Sequence, residues 1–278
     1  MRLLITGGSG YLGSHLIAAA RDPFELFATY YSRPIPDGVP LDVRDADSVR
    51  RLFDSLRPDC VIHTAYDKSS DGWQAVIGDG SANVAQAARQ VGARLIHLST
   101  DVVFSGARGW YCEDDPPDPV TDYGRVKVEA EQRVAACLPD ALLVRTSLIY
   151  GTLRDAADAN SRFVLDGLLG HTPVTLFQDE FRCPICVTDL AAALLELAAL
   201  PFDRLMVRGP LHVAGAERVS RYQFGVLLAR YHGLDPRPLQ ATTSEATGLI
   251  RPKDCTLDTT RAQALLRTRL RGVGEVLR

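Results

Sequence analysis

Lysine is nearly absent from this chain: only Lys68, Lys127 and Lys253 among its 31 basic residues are not arginine. With 34 acids the formal net charge is −3 and the pI is near 6.1. That balance excludes the broad cationic face that nucleic acid requires. No apolar run is long enough for a membrane span, and strand-like sequence begins at the second residue, leaving no room for a signal peptide. A soluble, cytoplasmic protein is the expectation. The six cysteines (Cys60, Cys112, Cys137, Cys183, Cys186, Cys255) lack the spacing of a disulfide framework and read as reduced thiols. Cys183-Pro-Ile-Cys186 has the form of half a zinc knuckle, but no second pair exists, so no metal is expected. Repeats and low-complexity tracts are missing too.

What is present is an alternation. Strand-like runs at 3–6, 26–30, 60–64, 94–99, 141–146 and 205–213 are separated by helical patterns at 11–20, 45–56, 81–91, 122–137 and 188–199. Either Asp79 or Ser81 would cap the helix at 81–91. This order predicts an α/β fold, a Rossmann-type doubly wound parallel sheet covered on both faces. The alternation lapses after Gly151 and again after residue 215. The expected division is a dinucleotide-binding domain of residues 1–151 and 185–215, with a smaller substrate-binding lobe of 152–184 and 216–278.

The chain opens with an apolar strand running into Gly7-Gly-Ser-Gly10-Tyr-Leu-Gly13. A turn that doubles back, lets its backbone approach a pyrophosphate and starts a helix facing the anion favours residues without Cβ at those places. An acid at the end of the second strand would hold the ribose 2′-hydroxyl of NAD. Tyr30-Tyr31-Ser32-Arg33 stands there instead, and its hydroxyl and guanidinium suit a 2′-phosphate, which favours NADP(H). Asp42, after the next turn, could meet the adenine amino group or cap the helix that starts near Asp45.

Tyr123-Gly-Arg-Val-Lys127 puts a phenol and an ammonium four residues apart, on one face of a helix. With nine tyrosines and three lysines, chance supplies such a pair about 0.1 times. A phenol is a poor proton donor or acceptor at neutral pH unless a cation stabilises its phenolate, and Lys127 is that cation. A carbonyl receiving hydride becomes an alkoxide that needs a proton, from Tyr123, and a second hydrogen-bond donor. Thr100, at the end of the strand 94–99, is the candidate second donor.

The glycine turn, Ser99-Thr100-Asp101-Val102-Val103-Phe104, Tyr123-x-x-x-Lys127, Arg145-Thr-Ser-Leu-Ile-Tyr150-Gly151, Val187-Thr-Asp-Leu-Ala191 and Arg251-Pro-Lys253 together resemble the extended short-chain dehydrogenases/reductases. The resemblance is to their dTDP-4-dehydrorhamnose reductase-like branch and runs over nearly the whole chain. It implies a Thr100–Tyr123–Lys127 catalytic set. It also implies cofactor contacts at Gly7, Gly10, Tyr11, Leu12, Gly13, Ser32, Arg33, Asp42, Val43, Ala65, Tyr66, Tyr123 and Lys127. Substrate contacts are implied at Asp101, Val102, Leu148, Arg182 and Arg251. The expected reaction is NADP(H)-dependent reduction of a carbonyl, a 4-keto group on a nucleotide-linked sugar. A homodimer is left open.

The same branch resembles the regulatory beta subunit of methionine adenosyltransferase, so a catalytically silent NADP-binding partner subunit is the rival reading. An epimerase or dehydratase is a third; Asp101 fits a dehydratase, but Val102 stands where its glutamate would be. Two departures bear on substrate. Ile77 replaces the branch's relay asparagine, and Leu148 replaces the tryptophan that packs on the sugar in rhamnose reductases, so the rhamnose precursor is expected to be a poor substrate. Trp73, in the polar loop Asp67–Trp73, either supplies the missing aromatic surface or packs under its own loop.

Overall fold

The first strand, β1 (Arg2–Thr6), buries Leu3, Leu4 and Ile5 completely, as an apolar run covered on both faces must. A computed structural model describes residues 1–67, 69–152, 158–170, 173–200 and 208–278. After β1 come α1 (Tyr11–Ala19), β2 (Glu25–Tyr30), β3 (Val39–Pro40), α2 (Ala46–Leu56) and β4 (Cys60–His63). A π-helical segment at Gln74–Asp79 leads into α3 (Gly80–Val91), followed by β5 (Arg94–Thr100), α4 (Asp122–Cys137) and β6 (Leu142–Thr146). Then follow β7 (Ile149–Tyr150), α5 (Ala159–Leu168), β8 (Thr175–Phe177), β9 (Phe181–Arg182), β10 (Ile185–Cys186) and α6 (Val187–Ala199). β11 (Gly209–His212), β12 (Val219–Ser220), α7 (Arg221–Tyr231) and β13 (Gln240–Thr242) precede three short helical turns.

Seven strands form one sheet in the order β11-β6-β5-β4-β1-β2-β3. β1 pairs in parallel with both β2 and β4, β4 with β5, and β2 with β3. The fold is the expected Rossmann-like α/β architecture. Strand order reverses at β1, so the crevice at its carboxyl end is the switch point where open sheets bind ligands.

The chain divides into two compact units. Unit 1 comprises Met1–Thr100, Asp122–Arg145 and Ala191–Leu211, and unit 2 comprises Asp101–Thr121, Thr146–Leu190 and His212–Arg278. The unit 1 core gathers Leu4, Val49, Phe53, Val61, Val84, Leu95, Val134 and Leu143. On α2, Val49 and Phe53 are four apart and fully buried; burying a side chain of this size contributes about 1.5–3 kcal/mol. Unit 2 closes around Tyr150, Val164, Leu176, Phe224, Leu228 and Val273.

This division differs from the one drawn at residues 151/152 and 184/185. Residues 101–121 join unit 2 because Tyr111 bridges to Leu257, and Gly106 lies so close to Lys253 and Asp254 that a Cβ there would come within 2.6–2.8 Å of backbone. β7 pairs with β10, which carries 146–151 and 185–190 into the same unit. Two local expectations also change. Asp45, not Asp42, caps α2 by accepting from the N–H groups of Asp47 and Ser48. Neither Asp79 nor Ser81 caps α3: Asp79 is itself helical because the π-helical segment runs straight into α3. Lys68 and positions 205–207 of the expected strand at 205–213 lie outside the described residues.

Candidate active site

The three glycines have three different reasons. Gly7 has φ +76°, and a Cβ on it would lie 2.8 Å from the backbone of Ala65, so only glycine turns here against that residue. Gly13, buried in the first turn of α1, would put a Cβ 2.3 Å from the Gly7 carbonyl oxygen. Gly10 is exposed, has ordinary φ and would meet only that same oxygen at 3.1 Å; it leaves the backbone open to an approaching ligand. No side chain caps α1 and no acid stands in its first turn, so its N-terminal N–H groups and dipole face an anion without competition. These residues fit a dinucleotide pyrophosphate. Leu12 is buried, while Tyr11 is half-buried and its ring packs tilted by 60° against His15, centroids 4.7 Å apart.

Ser32 and Arg33 are exposed after β2, and the Arg33 guanidinium donates to the Ser9 carbonyl, which holds it beside the glycine turn. Asp42 is occupied: it accepts the Arg44 guanidinium through both oxygens, and that arginine also donates to the Tyr31 hydroxyl at 2.7 Å. The hydrogen bond from Arg44 holds the Asp42 carboxyl below its usual range. Val43 is buried against Gly80.

Unit 1 also carries the candidate acid. Tyr123, Lys127 and Glu131 lie along one face of α4, and Lys127 is 6% exposed. Its Nζ donates to the Leu98 carbonyl at 3.0 Å, two residues before Thr100, the last residue of β5. Burial pushes the Lys127 ammonium down to about 8, and Glu131 opposes that fall. Glu131 accepts from the Ser99 hydroxyl and from the Arg145 fork at 2.8–3.3 Å. Across the sheet Thr6, His63 and His97 stand in register on β1, β4 and β5. His63 bridges Thr6 at 2.6 Å and Ser81 at 3.1 Å, and the two imidazoles stack with centroids 5.5 Å apart. Burial, with Lys127 nearby, pushes His63 down to about 3 and His97 well below its ordinary value. Sequence reading missed Glu131, Arg145 and both histidines; the available signal was Glu131, four residues beyond Lys127 on the same face.

Tyr66 and Trp73 both reach Tyr123. Their ring centroids lie 6.0 and 5.1 Å from it, the first edge-on and the second tilted by 60°. Trp73 therefore packs on the candidate donor itself, and the π-helical segment that follows it buries Ile77 completely.

The expected substrate residues fall in unit 2. Asp101 is buried, accepts from the Ser147 hydroxyl at 2.6 Å and lies 3.6 Å from Arg182. Arg182, also buried, donates to the carbonyls of Phe181 and Pro252. Both side chains are thus engaged within their own unit. Arg251 is 42% exposed and pairs with Glu180. Val102 and Leu148 are half-buried. Arg221, missed in the sequence, leads α7 and donates to Asn160. Burial, then Arg182, pushes its guanidinium down to about 10.

A parallel sheet reversing at β1, with a glycine turn that tolerates no Cβ at two of its positions, defines a dinucleotide-binding Rossmann protein. The chain belongs to the RmlD substrate binding domain family, whose model matches residues 1–277. It is 35% identical over 260 residues to a dTDP-4-dehydrorhamnose reductase of Mycobacterium tuberculosis, covering 87% of this chain and 79% of that one. Identity to the methionine adenosyltransferase 2 subunit beta of Xenopus tropicalis is 27% over 276 residues, covering 95% and 82%. In fold it matches the dTDP-4-dehydrorhamnose reductase of Bacillus anthracis in complex with NADP, with TM-score 0.84 and 23% identity over 99% and 96% of the two chains.

Proposed function

We propose that this chain is an NADP(H)-dependent oxidoreductase that reduces a carbonyl, a 4-keto group on a nucleotide-linked sugar. The observation that carries the reading is the Tyr123–Lys127 face of α4, with Lys127 anchored to β5 two residues before Thr100. Bound nicotinamide supplies the hydride. Tyr123 gives the alkoxide its proton, Lys127 stabilises the phenolate left behind, and Thr100 holds the reacting oxygen. Gly7, Gly10 and Gly13 seat the pyrophosphate, and Ser32 and Arg33 take the 2′-phosphate. The exposed side of Arg251 is available to an anionic part of the substrate, while Asp101 and Arg182 are paired with each other. The relatives named as dTDP-4-dehydrorhamnose reductases support this chemistry.

Likeness to the beta subunit favours a second reading, a silent NADP-binding partner. Retention of Thr100, Tyr123 and Lys127 together weighs against it.

A panel of nucleotide-linked ketosugars, scored by NADPH oxidation, tests both readings. At least one sugar is turned over, and Tyr123→Phe lowers that turnover by about two to four powers of ten while leaving NADPH affinity within about twofold. The rhamnose precursor is a poor member of the panel because Leu148 offers no flat surface for a sugar face, a difference worth about 10- to 200-fold. No turnover across the panel, or a fully active Tyr123→Phe, sinks the reductase reading.

A further inference from the structure

Lys127 is an ammonium in a poor place for charge. It is buried, and among the described residues of the sheet His63 on β4 and His97 on β5 feel its charge. Both imidazoles stay neutral through the working range, because burial and Lys127 itself hold them far below their ordinary value. From its own helix Tyr123 faces it one turn back, as a neutral phenol before proton transfer. One turn forward is Glu131, 4% exposed, whose carboxylate is gripped by Arg145 of β6 and by Ser99 of β5. Geometry alone makes this carboxylate unusual. It ties the helix that carries Tyr123 and Lys127 to the strand that ends in Thr100, and it sits four residues from the lysine, where helical side chains meet.

A buried carboxylate bonded to one cation and one helical turn from another can serve both. If it existed only to neutralise Arg145, a pair of well-packed apolar residues would do as well or better. Its second neighbour supplies the further reason, since desolvation disfavours the charged lysine and an adjacent carboxylate restores it.

We propose that Glu131 is a positioning residue for the proton transfer: clamped by Arg145 and Ser99, it holds α4 in register with β5 and keeps the Lys127 ammonium charged in its buried site. The proposal rests on the reading of Tyr123 and Lys127 given above. Without the Glu131 charge, Lys127 loses its proton at lower pH and the phenol loses its cation, so the alkaline limb of kcat/KM moves toward neutrality.

The scarcity of lysine makes a direct test practical. Protein labelled with [13C]lysine carries three labelled side chains, and Lys127→Met identifies the one in question. In the cofactor-free protein the Lys127 signal titrates near 8. In Glu131→Gln the charged fraction of Lys127 at pH 8 falls about fivefold, from about one half to about one tenth, and Glu131→Asp restores most of it. Because Glu131→Gln takes away the buried carboxylate that Arg145 grips, which threatens folding, Glu131→Gln/Arg145→Met removes both charges; its Lys127 also titrates below the wild-type protein, by a smaller margin. The same order appears in the alkaline limbs of kcat/KM. A folded variant without the Glu131 charge whose Lys127 titrates as in wild type overturns the proposal, even if turnover has dropped, because a purely structural role predicts that result. The titration is read without substrate or cofactor, so it stands apart from the reductase reading, which fails instead if Tyr123→Phe and Lys127→Met remain active.

Discussion

At the scale of single residues, the same side chain type takes different work according to what already holds it. Arg44 is spent on Asp42 and Tyr31, whereas Arg33 is exposed and needs only the Ser9 carbonyl to keep it near the glycine turn. Arg33 is therefore the guanidinium that discriminates between cofactors. Arg33→Ala raises the Kd of NADPH by on the order of tenfold, the smaller end for a charged hydrogen bond because the site is open to solvent. It leaves the Kd of NADH unchanged. Calorimetric titration with both cofactors measures this, and equal wild-type affinities would remove the argument for a 2′-phosphate site. Tyr123 and Lys127 were legible in the sequence because helical spacing alone puts them on one face. Their surroundings were not: Tyr66 and Trp73 reach Tyr123 only through the chain's return over β4 and the π-helical segment after Trp73.

At the scale of elements, the turn between β1 and α1 shows why a glycine pattern is more than a signature. Gly13 is fixed by packing, since an added methyl would run into the Gly7 carbonyl oxygen and Gly8 Cα, both backbone. Gly10 faces outward and its nearest neighbour stands at 3.1 Å. Gly13→Ala should lower stability by about 1–3 kcal/mol, as overpacking does, and weaken NADPH binding as well. Gly10→Ala should leave unfolding by urea nearly unchanged and act mainly on cofactor affinity. Equal losses of stability in the two variants would show that the turn is not divided in this way. The helix ends carry a related lesson. The sequence offered Asp42 as a cap for α2, yet Asp45 takes that place, and α3 has no cap of its own because a π-helical segment feeds it; nothing in residues 74–79 announces i to i+5 bonding.

For the whole molecule, burying an ammonium couples activity to stability with opposite signs. Lys127 gives up its proton near 8 when folded and near 10.5 when unfolded, so between those values the unfolded chain binds more protons and stability rises with pH. The gain reaches about 3 kcal/mol at most, over the interval in which turnover declines. Unfolding free energy measured from pH 7 to 10.5 should climb more in the wild-type protein than in Lys127→Met, and parallel curves would contradict a buried charged lysine. The sequence by itself determined the parallel sheet, the glycine turn and the Tyr–Lys face, because each depends on local periodicity or on a residue that only one backbone shape requires. Tertiary structure alone decided that Glu131 meets Arg145 and Ser99, that two histidines stack beneath the site, and that residues 101–121 join unit 2. Those contacts join residues 14 to 148 positions apart, set by how helices and strands pack, and no spacing along the chain encodes a distance across a core.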